Sequence, residues 1–168
     1  MSHYVHQPIA TISSLSGLNG DVRLKPLSRY FEDHIMSKDF MIGYYKSNLE
    51  NIRLDLVKGV GKKRIFKFKG INSIIAAESI KGKTLFIKVS RDDKINLISE
   101  DLIGWDIITT GNKKIGELVN VMWLPSNDIY IIKNGEKEYL IPIIDEIIKK
   151  LDYDKKEILI NPIDGLID

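Results

Sequence analysis

No cysteine occurs among the 168 residues, which excludes disulfides and thiolate metal sites and fits a reducing compartment. No apolar run approaches the ~18 residues that a membrane-spanning helix requires. The segment Met1-Ser2-His3-Tyr4-Val5-His6 lacks the basic and apolar regions of a secretory signal. The expectation is a cytoplasmic protein without membrane contact. Histidine is scarce too. His3 and His6 lie near the chain start and His34 stands alone, so no metal-ligand cluster or Ser-His-Asp arrangement can be singled out. Asp152-Tyr153-Asp154 spaces two acids but lacks the glycine and terminal glutamate of an EF-hand loop. Gly59-Val60-Gly61-Lys62-Lys63 lacks the spacing of a phosphate-binding P-loop, and no helix pattern follows it. The expectation is therefore a monomeric, non-enzymatic protein with no metal, no cofactor and no small-molecule substrate.

The most informative scarcity is regional. The formal net charge is only +2, yet residues 1–91 hold 16 Lys and Arg against 7 Asp and Glu, a balance of +9. Residues 92–168 hold 9 against 16, a balance of −7. A basic half suits a polyanion such as nucleic acid, and an acidic half a cationic protein surface. Plain solvated charge is the alternative for both. Between Asp55 and Glu78 there is no acid at all, while Lys58, Lys62, Lys63, Arg64, Lys67 and Lys69 fall inside that window.

What is present is mostly strand. Ile52, Leu54 and Leu56 alternate with Arg53 and Asp55, and Phe66 and Phe68 with Lys67 and Lys69. Val119, Val121 and Trp123, then Ile129 and Ile131, Tyr139 and Ile141, and Ile158 and Ile160 repeat the period of two. Asn134-Gly135 between two such runs predicts a hairpin. Short helices are expected over residues 28–37, over 73–80 with Ser73 as N-cap, and over 142–151, where acids precede lysines. Many short strands and few helices predict an all-β chain of two small antiparallel β-barrels in tandem. The boundaries expected are 1–91 for the first domain, 92–98 for a charge-dense linker and 99–168 for the second.

Three ordered patterns resemble the RimM family of ribosome maturation factors. The first is Gly17-Leu18-Asn19-Gly20-Asp21-Val22-Arg23-Leu24-Lys25-Pro26. The second is Phe68-Lys69-Gly70-Ile71-Asn72 with Ala76-Ala77-Glu78 and Lys81-Gly82-Lys83. The third is Asp101-Leu102-Ile103-Gly104-Trp105, then Gly116-Glu117-Leu118, Leu140-Ile141-Pro142-Ile143 and Asp164-Gly165-Leu166. The resemblance implies a translation-factor-like N-terminal barrel followed by a PRC barrel. It implies an assembly chaperone for the small ribosomal subunit that acts on the 3′ domain of 16S rRNA in the subunit head. The PRC barrel would contact ribosomal protein S-nineteen of that head. The family's adjacent tyrosines before the Asp-Leu-Ile-Gly segment are replaced by Leu97 and Ile98, and its histidine before the first glycine by Ser16.

Each candidate site has two readings. Lys58, Lys62, Lys63, Arg64, Lys67 and Lys69, placed on a hairpin with its tip at residues 59–61, form either an RNA-contacting ridge or a strand edge protected by lysines. Arg23, Lys25 and Arg29 make a second basic group beside the glycine turn, and Arg23 and Lys25 join the RNA-binding set. Phe66 and Phe68 read as core. Leu97, Ile98, Asp101, Trp105 and Trp123 are the residues assigned to ribosomal-protein binding; for the tryptophans the alternative is core packing, and for Asp101 a turn cap.

Overall fold

A computed structural model describes residues 3–93, 97–124 and 126–167 and divides the chain into two compact units, 1–90 and 91–168. Residues 94–96 of the expected linker lie outside the described set. Strands account for 48% of the structure and helices for 12%, so the all-β expectation holds.

The first unit runs β1 (Tyr4–Ser16), β2 (Asp21–Pro26), α1 (Phe31–Ile35), β3 (Asp39–Gly43), β4 (Glu50–Lys58), β5 (Ile65–Phe68), α2 (Ile74–Ile80) and β6 (Thr84–Ser90). Its strands close into a barrel in the order β1-β2-β5-β4-β3-β6, with every pair antiparallel. Closure leaves no open edge for unwanted pairing. The 13 residues of β1 serve two neighbours: Tyr4 to Thr11 pair with β6, and Ala10 to Ser16 pair with β2. Register shifts between Pro8 and Ala10 and between Ile12 and Ser14 let this one strand bend around the barrel. Ile9, Ile12, Val22, Ile42, Leu54, Phe68 and Leu85 fill the interior, and Phe31, Ile35, Ala77 and Ile80 of the two helices join the same core.

The second unit contains β7 (Asp106–Thr109), β8 (Lys114–Met122), β9 (Ile129–Asn134), β10 (Lys137–Pro142), β11 (Ile148–Asp152) and β12 (Glu157–Ile160). They form a barrel-like sheet in the order β10-β9-β8-β7-β12-β11. The β12–β7 pair is parallel and the rest are antiparallel. Trp105, Leu118, Tyr130, Ile132, Ile141 and Ile158 belong to its core. Trp105 meets Tyr153 edge to face at 5.0 Å. The buried Tyr130 hydroxyl donates to the Leu97 carbonyl, which ties the chain before β7 to the sheet.

The hairpin expected at Asn134-Gly135 forms, with Gly135 (φ 64°) in the turn between β9 and β10. Ser73 caps α2 as expected, its hydroxyl accepting from Ala76 N at 3.1 Å. Three expectations change. The helix over 28–37 shrinks to Phe31–Ile35, and buried Ser28 instead accepts from Tyr30 N in the turn before it. The helix over 142–151 does not form: Ile148–Asp152 is β11, paired with β12. Ile148 opens the strand, and pairing of residues 148–152 with Glu157–Ile160 supplies a ladder that outweighs weak capping signals. Finally, bulges break the simple alternation in β4 and β8. Leu56 and Val57 are exposed together, and Val119 turns outward while Leu118 and Val121 are buried.

Candidate nucleic-acid interface

The hairpin of β4 and β5 carries the cationic window, with its tip in a single 3-10 turn, Gly61–Lys63. Strand β2 pairs with β5 through Val22 and Phe66 and so brings the second basic group alongside. The Arg23 guanidinium donates to the Lys62 carbonyl at 2.8 Å. The result is an open groove of about 700 Å³ lined by Arg23, Lys25, Lys62 and Arg64, with Leu24, Pro26 and Phe66 as its apolar part. Two basic groups 39 residues apart in the chain thus share one surface.

The cations of this end divide into two kinds. Arg64 is held by an acid from outside the acid-free window: its guanidinium makes two bonds to the Glu32 carboxylate, at 2.6 and 2.9 Å. It also lies 5.0 Å from the Phe66 ring centroid and 5.5 Å from that of Phe31. The hydrogen bond from Arg64 holds the Glu32 carboxyl below its ordinary value, and the same bond raises the guanidinium. Lys67 is likewise engaged, donating to the carbonyls of Asn19 and, at 2.7 Å, of Ile71. Those contacts fasten the 17–20 turn to the turn after β5. Gly20 permits the approach, because a Cβ there would sit 2.2 Å from the Ile71 carbonyl oxygen, and its φ is +91°. The resembling glycine motif is therefore a docking device between two turns.

Lys25, Lys58, Lys62, Lys63 and Lys69 are of the second kind. They are exposed, and among the described residues no carboxylate stands within ion-pair distance of them. Phosphate contact suits these lysines, while Arg23, Arg64 and Lys67 position the ends of the strands that carry them. Phe66 and Phe68 are buried and offer no stacking surface. Arg29 is exposed just before α1.

The five residues assigned to ribosomal-protein binding separate as well. Trp105, at 7% exposure, belongs to the second unit's own core, and Ile98 is buried at 4%, so neither side chain is open as a surface contact. Trp123 packs half-buried against that core. Asp101 is exposed on the 3-10 turn Glu100–Leu102, whose N-cap is Ser99, its hydroxyl accepting from Asp101 N at 3.1 Å. Leu97 remains half-buried and lines a cleft of about 450 Å³ with Tyr153, in which Asp92, Asp93, Asp145, Asp152 and Asp154 face Arg91, Lys149 and Lys150, a modest acidic excess. Arg91 spans one side of this cleft, 3.8 Å from Asp154 and 5.4 Å from the Tyr153 ring centroid. Burial, with Asp101 adding to it, pushes the Tyr153 hydroxyl up to about 12. No local pattern in the sequence announces this cleft, because its walls come from residues 91–97 and 145–154. Among the described residues no group of histidine and carboxylate side chains is arranged to hold a metal ion.

A closed barrel with a cationic hairpin end, followed by a barrel-like sheet with an acidic cleft, defines a tandem-barrel protein. The family model of the RimM N-terminal domain matches residues 8–92, and that of the RimM PRC barrel domain matches residues 99–166. The chain is 36% identical over 169 residues to the ribosome maturation factor RimM of Clostridioides difficile, covering 97% of this chain and 96% of that one. It is 31% identical over 168 residues to the protein of the same name from a Thermoanaerobacter species, covering 94% and 96%. A solved structure of a RimM-type 16S ribosomal RNA processing protein from Pseudomonas aeruginosa aligns with 95% of this chain and 98% of that chain, at 18% identity and a TM-score of 0.45. The chain belongs to the RimM family.

Proposed function

We propose that this chain is a cytoplasmic ribosome maturation factor that binds the head of the small subunit during late assembly. It acts through ribosomal protein S-nineteen and the adjacent 16S rRNA, and it promotes folding and processing of the rRNA 3′ domain without catalysing a reaction. The observation that carries this reading is the gathering of exposed, carboxylate-free lysines at the hairpin end of the first barrel, Lys25, Lys58, Lys62 and Lys63, while Lys69 lies at the other end of β5. Such a surface neutralises phosphates without reading bases, as suits a factor that recognises a folded rRNA surface. The acidic excess of residues 92–168, with exposed Asp101 and half-buried Trp123 on the second unit, supports that unit as the side for a basic ribosomal protein. The family resemblance and the relatives' names supply the ribosome.

The mechanism is energetic. A factor that binds one conformation of the head more tightly than others shifts the population toward it by its differential affinity. Release then requires moderate, salt-sensitive binding.

Co-sedimentation with immature small subunits, mature small subunits and large subunits tests the proposal. Selective association with small subunits, strongest for free or immature ones, is expected. In the Lys62→Ala/Lys63→Ala variant, the slope of log affinity against log salt should fall by roughly 1.4 to 1.8, two phosphate contacts' worth. Equal binding to unrelated RNA at matched salt would instead make this a general RNA-binding barrel.

A further inference from the structure

We infer that the opposite end of β4 carries a second RNA contact, selective for unpaired nucleotides, in which Tyr44 and Tyr45 stack on bases and Lys81 and Lys83 hold the backbone. The two tyrosines follow β3 directly and are 59% and 74% exposed, an unusual placement for adjacent large rings. The loop backbone and the Tyr44 ring are held in place. Gly43 is buried, and a Cβ there would lie 2.5 Å from the Asn48 carbonyl oxygen, so the loop folds back onto the end of β3. Asn48 N donates to the Tyr45 carbonyl at 3.2 Å and closes the turn. The Tyr44 hydroxyl donates to the Lys81 carbonyl at 3.2 Å, and its ring rests against Gly82. The ammonium of Lys83 stands 5.6 Å from that ring's centroid.

Charge selects the ligand. The Lys81-Gly82-Lys83 turn contributes two cations beside the Tyr44 ring, and the first acid along that segment is Glu78. Burial holds the His6 imidazole on β1 below its usual value, and the nearby charges of Lys46 and Lys88 lower it further. A fixed Tyr44 ring, the exposed Tyr45 ring on the same closed turn and the lysines beside them are the parts of a single-strand platform, since every base offers a π-face and every nucleotide a phosphate. Bases inside a duplex are already stacked on each other, so a duplex forgoes the tyrosine contribution.

This platform lies at the far end of the nine-residue β4 from the hairpin tip, about 25–30 Å away by strand rise, so the two contacts are energetically independent. The inference shares with the proposed function only the premise that the chain meets RNA. Fluorescence anisotropy of the full chain with a labelled oligouridylate of about ten nucleotides, and with a duplex RNA of equal length, tests it. Tyr45→Ala should weaken single-strand binding roughly five- to hundredfold, the span of one lost stack, and leave duplex binding unchanged. Tyr45→Leu should behave alike, because it keeps apolar area and removes the π-face. Lys81→Ala/Lys83→Ala should lower the single-strand salt slope by about 1.4. Wild-type single-strand affinity in either Tyr45 variant, with cooperative urea unfolding retained, overturns the inference. So does loss of subunit binding in those variants with RNA affinity intact, which would make the face a protein contact. If Tyr45→Leu loses single-strand RNA while Lys62→Ala/Lys63→Ala keeps its salt slope, the platform stands and the hairpin-end reading fails.

Discussion

Glu32→Gln separates the two roles of cations at the hairpin end. In the wild-type groove Arg23, Lys25, Lys62 and Arg64 face one carboxylate, and that carboxylate is fully engaged by Arg64 at 2.6 and 2.9 Å. Exchanging it for an amide raises the local balance from +3 to +4 and releases the guanidinium for a phosphate. The Glu32 side chain is 65% exposed, so solvent screening limits the pair to about 0.2–1 kcal/mol, and Arg64 keeps its contacts with Phe31 and Phe66. Urea unfolding should therefore show a loss no larger than about 1 kcal/mol. RNA binding followed across several salt concentrations should tighten at low salt, with the slope steeper by up to about 0.7–0.9 for one added phosphate contact. Acid should do the same to the native protein. The Glu32 pKa is lowered on folding, so the pair's stabilisation is complete above the unfolded carboxyl's value and disappears as pH falls through the folded one. Weaker RNA binding in Glu32→Gln, or a destabilisation beyond about 2 kcal/mol, would show that Arg64 organises the groove and does not compete for it.

Four further outcomes are expected at other sites. Gly20→Ala should cost roughly 2–4 kcal/mol in urea unfolding, since it adds a Cβ at positive φ and drives it into the Ile71 carbonyl. Tyr130→Phe should cost about 1–2 kcal/mol by leaving the Leu97 carbonyl without its donor. In alkaline difference spectra Tyr130, raised by burial, should ionise only as the protein unfolds. Because the His6 pKa is depressed in the folded state, stability should fall as pH drops through the unfolded histidine's 6.5 toward the folded value, and His6→Gln should flatten that loss. A pH-independent unfolding midpoint in this range would remove His6 from the account.

Much of the architecture was legible because strands announce themselves locally. Phe66 and Phe68 inside, the Ser73 cap and the turn at Gly135 are decided within a few residues of chain. The failures share one cause. Helix signals over 142–151 were overruled by β12, and the alternation in β4 and β8 was broken by bulges that depend on neighbouring strands. At the candidate site, charge was readable but its availability was not. Nothing near Arg64 in sequence announces Glu32, 32 residues earlier, and nothing near Lys67 announces the carbonyl of Asn19. Trp105 and Ile98 are apolar in any reading, and only packing decides whether they face in or out.

By itself, the sequence determined the composition of each half: a basic segment without acids, an acidic segment, and the period-two runs that build barrels. Only the tertiary structure decided which cations are spent inside the protein and which remain for a partner. Covalent neighbours fix local conformation, whereas ion pairing and burial depend on what closure of the barrel brings within a few ångströms.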